Sequence, residues 1–194
     1  MKWLEKIVDD SLKEISKTPI SMMVLGFIPE EMLDTSIKQS DDWRGWKAVE
    51  STISDEDINQ FEEEIGYQLP TSFRYFLKYK YFFRLPIPDS AVILSENLPH
   101  KKLSTLKKLI YEYEEPELII GRGYIYFASF EDIGPLCFDA NEKKENNEYK
   151  IVFMDHEDLE DVHPYAANFK DLLESDDERG DRFMDYLNDF YAES

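Results

Sequence analysis

Hydrophobic residues fall at helical spacing towards both ends of the chain and in short strand-like runs between them. In residues 3–15 the apolar positions Leu4, Ile7, Val8, Leu12 and Ile15 recur at the spacing of an amphipathic helix, and Pro19 ends it. Ile28-Pro29-Glu30-Glu31 predicts another helix start, with proline in the first turn and acids behind it. DDWRGWKAVE then reads as a turn-like segment leading towards a strand. Ser54 is a good N-cap, followed by Asp55, Glu56 and Asp57 against the helix N-terminus. Ile58, Phe61 and Ile65 share one face of that helix, and Gly66 suits the left-handed position that closes it. Leu69 leads to Pro70, which starts a second helix with Phe73, Phe76 and Leu77 on its apolar face and Tyr75 and Tyr79 flanking.

After Tyr81 the period changes. PIPDSAVIL reads as a turn into a strand, and LSTLKKLIYEY as a helix through Leu103, Leu106, Leu109 and Ile110. LIIGRGYIYFAS, IGPLCFDA and EYKIVFMD are Ile-, Val-, Phe- and Tyr-rich runs split by Gly, Pro, Asp and Asn, the pattern of a strand meander. ANEKKENNE is a polar hairpin-like loop between the last two. AANFKDLLES and RFMDYLNDFY close the chain as two helical segments, with Gly180 read as the break between them. Helices, then strands, then helices predict an α+β fold: a single domain with an antiparallel-rich mixed sheet flanked by helices. Residues 1–42 are expected to be an N-terminal helical extension, and residues 43–194 the main domain with its C-terminal helices. No internal repeat or low-complexity segment is evident.

Composition narrows the function. A chain of 194 residues, 42% hydrophobic and 14% aromatic, can bury a substantial core despite 33% charged residues. Lys and Arg total 22 against 42 Asp and Glu, a formal charge of −20. Such a surface repels nucleic acid and anionic membrane and attracts basic partners. Acidity that serves only solubility fits the composition as well. The four lysines Lys101, Lys102, Lys107 and Lys108 form the one basic island. Cys137 is the sole cysteine, so there is no disulfide framework, and its PLCF setting marks it as a small core residue rather than a nucleophile. The acids of MKWLEKIVDD do not fit a signal peptide, and PISMMVLGFIP is too short to span a bilayer, so a reducing cytoplasm is the expected home.

Three motifs carry a resemblance to the SUKH superfamily, the Smi/Knr-type fold. ISDEDINQFEEEIGYQLPTSFRYFL is similar to its acidic helix, Gly, Leu-Pro and second aromatic helix. GYIYFASFEDIGPLCFDA resembles its central hairpin. YKIVFMDHED followed by YAANFKDLLE is similar to its final strand, acidic turn and Ala-x-x-Phe-x-x-Leu-Leu helix. The resemblance runs over residues 46–174, with the elements in order. It departs from the family pattern at Lys80-Tyr81-Phe82, where an Asn-Gly-Gly-like turn is usual, and at the hairpin entrance GRGY. The first forty residues and the tail after Ser175 lie outside it. The resemblance implies a binding module. Bacterial members are largely immunity proteins against polymorphic toxins, often nucleases, whereas eukaryotic relatives regulate cell-wall signalling and bear long disordered arms. No such arms are evident here, which favours the immunity reading.

The chemistry-bearing residues do not form a catalytic pattern. His156 and His163 flank Asp155, Glu157 and Asp158, but a loose carboxylate cluster is a weak metal signature, and an acidic solvated loop between strand and helix is the expected structure. GRGY lacks the Lys-Ser/Thr of a phosphate loop and the third glycine of a dinucleotide fingerprint. Arg44 and Arg122 are read as turn or surface residues. No cofactor or metal is expected. The candidate partner-binding residues are the acids Glu131, Asp132, Asp139, Asp155, Glu157, Asp158, Glu160 and Asp161, at the meander and its exits. Trp43, Trp46 and Tyr124 are the candidate aromatic anchors, with burial in the core as the competing fate of each. The expected partner is a basic protein toxin, with no direct nucleic-acid or membrane contact and with monomer and homodimer both open. A regulatory module for an endogenous protein and a hydrolase built on His156 and Asp155 are the alternatives.

Overall fold

The computed structural model describes all residues except 41, 114, 132, 143–146, 177 and 193–194, and only the backbone of 190–192. The chain divides into two compact units, Met1–Pro86 with Ser95–Lys108, and Ile87–Leu94 with Leu109–Ser194.

In the first unit, α1 (Lys2–Ser16) buries Leu4, Val8 and Leu12, the stripe that the sequence predicts. Two antiparallel ribbons follow, β1 (Met23–Leu25) with β2 (Trp43–Gly45), and β3 (Val49–Glu50) with β4 (Lys80–Tyr81). The helix expected at Pro29 is a single 3₁₀ turn, Glu30–Met32, with Pro29 as its cap. Helices α2 (Asp55–Ile65) and α3 (Thr71–Tyr79) are those expected. Ser54 Oγ accepts the Asp57 N–H (3.1 Å) while Asp57 Oδ2 accepts the Ser54 N–H (2.9 Å), a reciprocal capping box. Gly66 closes α2 at φ 77°, a conformation that a Cβ would strain.

Glu62 ties the two helices together. It is 9% exposed, its Oε1 accepts the Leu69 N–H (2.7 Å), and its Oε2 accepts from Arg74 Nη1 (2.6 Å). The carboxylate thus fixes the turn that carries Gly66 and Leu69-Pro70. Asp9 of α1 accepts from Tyr79 Oη (2.8 Å) and Lys80 Nζ (2.6 Å), which anchors α1 to the end of α3. Where a glycine turn would be usual for the resembled family, Lys80 and Tyr81 pair as β4, and Phe82 bridges to Asn97.

Helix α4 (Ser104–Tyr111) carries the chain onward and buries Leu106 and Ile110. The second unit is built on one antiparallel sheet in the order β5-β6-β7-β8-β9: Val92–Leu94, Tyr124–Phe130, Gly134–Asp139, Ile151–Asp155 and Asp158–Ala166. Central β7 supplies Leu136, Cys137 and Phe138, all fully buried. The start of the LIIGRGYIYFAS run is helical, lying in a short helix, α5 (Pro116–Ile119), and a 3₁₀ turn (Ile120–Arg122), so the strand begins only at Tyr124. The last strand, β9, replaces the loop expected over residues 156–163. Its buried positions are Leu159, His163 and Ala166, with charges and Pro164 between them. An edge strand needs only one face apolar, and charge and proline protect it from pairing further.

Helices α6 (Phe169–Leu173) and α7 (Glu178–Ala192) complete this unit. Phe183 of α7 lies edge-on to Phe130, Phe153 and Tyr165, with ring centroids 5.0–5.5 Å apart. Gly180 is not the break between the helices. The break follows Leu173, and α7 runs through Gly180, where a Cβ would lie 2.7 Å from Ala91 Cβ and 3.0 Å from Asp89 Oδ1. The glycine permits close approach to fully buried Asp89, which accepts a hydrogen bond from Tyr165 Oη. Burial, then, raises the Asp89 carboxyl above its usual range. Among the described residues no helix is long and apolar enough to cross a membrane.

Gly180→Ala should therefore invert the usual sign. In an open helix interior the change gains up to about 1 kcal/mol, but overpacking here should cost roughly 1–3 kcal/mol, read as a lower urea midpoint. The capping box gives a pH signature. Hydrogen bonds from the Ser54 N–H, the Ser54 hydroxyl and Lys102 lower the Asp57 pKa from 3.8 to about 2. A depressed folded-state pKa contributes stability above the unfolded value and loses it as the pH falls through the folded one. The stability advantage of the native chain over Asp57→Asn should therefore shrink between about pH 4 and pH 2, measured by urea melts across that range. Ser54→Ala should cost about 1 kcal/mol at neutral pH.

Candidate partner-binding surfaces

The meander brings the β6–β7 and β8–β9 turns to the same end of the sheet. The His156 N–H donates to Ile133 O (3.1 Å), which joins the two turns, and the His156 ring Nδ1 meets the same oxygen. Aspartates shape the second turn. Asp155 Oδ1 accepts the Glu157 N–H (2.8 Å), and Asp158 Oδ1 accepts the Glu160 N–H (3.1 Å). This end therefore gathers Glu131, Asp155, Glu157 and Asp158, with Glu160 two residues along β9. Glu131, Glu157, Asp158 and Glu160 are exposed, and among the described residues no lysine or arginine forms an ion pair with any of the four. Asp161 sits half-buried, 3.2 Å from His163 Nε2. Asp132 lies outside the described residues.

Asp139 belongs to the opposite end of the sheet, where it pairs in register with Tyr124. Its Oδ1 accepts from the Asn141 backbone and side-chain N–H groups, both at 3.0 Å. Arg122 holds this corner: its guanidinium lies 5.6 Å from the centre of the Tyr124 ring and donates to Leu159 O (3.2 Å). Tyr124 is half-buried, and burial, then Asp139, raises its phenol above the usual range. The seven described acids and Tyr124 thus do not form one surface.

The two tryptophans belong to the first unit and have opposite fates. Trp46 is fully buried, with its ring 5.8 Å from that of Phe83, so it is a core residue rather than an exposed anchor. Trp43 is 37% exposed on β2, directly across from Leu25, which is 61% exposed. Ile20 and Phe27 are also exposed nearby in sequence. Sequence reading missed this apolar face. Its signal was the uncharged run PISMMVLGFIP in a strongly acidic chain.

The remaining reactive groups are structural. Asp155 Oδ1 and His156 Nδ1 are 3.9 Å apart, and each is engaged with backbone groups, so this pair is not arranged as a hydrolytic dyad. His163 is buried beside Phe153 and Tyr186, and His100 meets Phe27 edge-on. Burial pushes the Cys137 thiol well above its usual range, which keeps it protonated and unreactive. Among the described residues no three His, Cys, Asp or Glu side chains converge as metal ligands.

Comparison with curated proteins returned no match. Comparison with family models matched the SMI1 / KNR4 family (SUKH-1) over residues 52–175. The matched span begins just before the capping box of α2, includes the Gly66 and Leu69-Pro70 junction and the whole β5–β9 sheet, and ends after α6. With most of its length matched and its signature helix pair and meander in place, the chain belongs to the SMI1 / KNR4 family (SUKH-1).

Proposed function

We propose that the chain is a non-catalytic immunity module that neutralises a basic toxin domain of the nuclease type. The observation that carries the reading is the set of exposed carboxylates at one end of the sheet, Glu131, Glu157, Asp158 and Glu160, none of which forms an ion pair with a lysine or arginine among the described residues. Other acids are paired within the fold, as at Asp9, Asp55, Glu62 and Asp171, while Glu30, Glu31, Glu56 and Glu63 are exposed without an ion pair among the described residues; what sets the four apart is their position on two turns joined by a hydrogen bond. A nuclease cleft is cationic because it must hold phosphate, so a dense, rigid group of carboxylates can occupy it as a charge mimic of the substrate. The hydrogen bonds that lock the two turns hold these groups in place before binding, which lowers the ordering cost. Family membership supports the reading, as bacterial members of the superfamily are largely immunity proteins.

The test uses any toxin domain that a gene beside this one encodes. Co-expression should protect cells, and the purified pair should bind with an affinity that falls as salt rises. Combined Glu131→Lys, Glu157→Lys and Glu160→Lys substitutions, all at exposed turn or edge positions, should slow association by at least about tenfold while leaving the melting transition little changed. Binding that is absent, or indifferent to salt and to these substitutions, sinks the reading. Tight binding to an endogenous protein in its place would favour a regulatory module.

A further inference from the structure

Helix α7 is docked across a buried carboxylate. Asp89, in the turn before β5, is fully buried, and its Oδ2 accepts from Tyr165 Oη of β9. Its Oδ1 is buried as well and has no hydrogen-bond partner among the described residues. That oxygen faces the first turn of α7, where a Cβ on Gly180 would lie 3.0 Å from it. The glycine lets the helix backbone close over the carboxylate, which holds an incompletely bonded oxygen away from solvent.

The charged groups around Asp89 do not neutralise it. Arg179, next to Gly180, donates to Asp171 Oδ2 and to Tyr165 O, each at 3.2 Å, and its guanidinium lies 5.9 Å from the centre of the Tyr165 ring. Asp176, before α7, is paired with Arg182 (2.9 Å), which also reaches Glu178 (3.3 Å). Burial is the largest influence on the Asp89 carboxyl and raises it above 3.8; the Tyr165 hydroxyl, the Ala91 N–H and Arg179 oppose it, and Asp176 adds to it. The acids of α7 itself, Glu178, Asp181, Asp185 and Asp189, are exposed. Under the other end of α7 the titratable group is His163, 6.0 Å from the Tyr186 ring and 3.2 Å from Asp161.

Little else holds the helix down. Along residues 178–189 only Gly180 and Leu187 are fully buried, and Phe183 and Met184 are half-buried. A lightly packed terminal helix opens at low cost, so one buried charge beneath it can shift the balance. The helix also lies beyond the residues that the family model matches.

We propose that α7 is a pH-governed latch: it stays docked on the sheet while Asp89 carries its proton, and opens more often once Asp89 ionises, baring Phe130, Phe153 and Tyr165. Opening brings solvent to Oδ1 and returns the carboxyl towards its ordinary value. An acid raised in the docked state binds its proton more tightly there than in the open state. Docking is therefore strongest below about pH 4 and weakens as the pH rises from there through the raised value. Neither the latch nor its test involves the acidic turns, so it stands or falls apart from the immunity reading.

The test is amide hydrogen exchange on the full chain between pH 4 and pH 7, corrected for the intrinsic rate at each pH. It is read on α7 at 181–187, with β7 as the measure of global unfolding. Asp89→Asn removes the carboxyl and leaves His163 in place. The ratio of α7 protection in this variant to that in the native chain should grow at least about fivefold from pH 4 to pH 7. Tyr165→Phe removes the hydroxyl that partly offsets the charge, and should lower α7 protection at least about threefold more at pH 7 than at pH 4. Circular dichroism checks that each variant folds; should Asp89→Asn not fold, Tyr165→Phe carries the test alone. A ratio that is flat with pH, or that moves in the opposite sense, overturns the inference. So does exchange in α7 that keeps pace with β7 at every pH, since the helix would then leave only when the whole chain unfolds.

Discussion

Mutual repulsion among carboxylates is the constraint under which everything else in this chain is arranged. With 42 acids against 22 lysines and arginines, a compact state works against its own charge. The first unit answers by giving acids structural work. Glu62 is drawn into the α2–α3 junction and bonded at both oxygens, Asp57 caps α2, and Asp9 holds the end of α3. Asp55 meets Lys78 at 2.6 Å, and Glu64 pairs with Lys107. Three of the four lysines of the basic island are thereby engaged within the fold: Lys101, Lys102 and Lys107 each face a carboxylate, and Lys108 is exposed. What reads in sequence as a positive patch is largely a set of counter-charges.

The second unit treats its acids differently. Asp171 is held by Arg179, and buried Asp89 by Tyr165, but the turns at one sheet end keep their charge exposed. Turns are where such charge costs least, because solvent screens it and aspartate side chains also satisfy the local backbone. The exposed carboxylates are therefore compatible with an account in which they serve only solubility and turn geometry. The difference between that account and a docking surface lies in rigidity. The link from Ile133 to His156 fixes two turns that would otherwise move independently, a restraint that solubility alone does not require.

The elements legible in the sequence were those in which local chemistry and tertiary context agree. Ser54 with Asp57, Gly66 and Pro70 mark the ends of α2 and the start of α3 with residues that can do little else there, and the aromatic runs of β6, β7 and β8 are buried on both faces. Where context overrode local pattern, the reading failed in identifiable ways. β9 reads as a loop because its buried positions, Leu159, His163 and Ala166, are sparse and irregularly spaced by shifts of register, with charges between them. Gly180 reads as a helix break because glycine weakens helices, whereas here the space beside Ala91 and Asp89 dictates it. Trp43 and Trp46 are three residues apart in one segment, and nothing local says that one faces solvent and the other is sealed against Phe83. The scatter of the described acids over two ends of the sheet has the same origin. Asp139 ends β7 and Asp155 ends β8, and antiparallel neighbours finish at opposite ends.

The charged sheet end and the carboxylate beneath α7 are the same chemical group in opposite settings. Exposed carboxylates act before contact: they raise the rate of encounter with a basic protein, and salt screens that effect away. A buried carboxylate acts through its burial: desolvation opposes its charge, so pH governs it and salt screens it little. Salt dependence of the association rate and pH dependence of α7 protection are therefore the two coordinates on which the contributions separate, without requiring that one bear on the other.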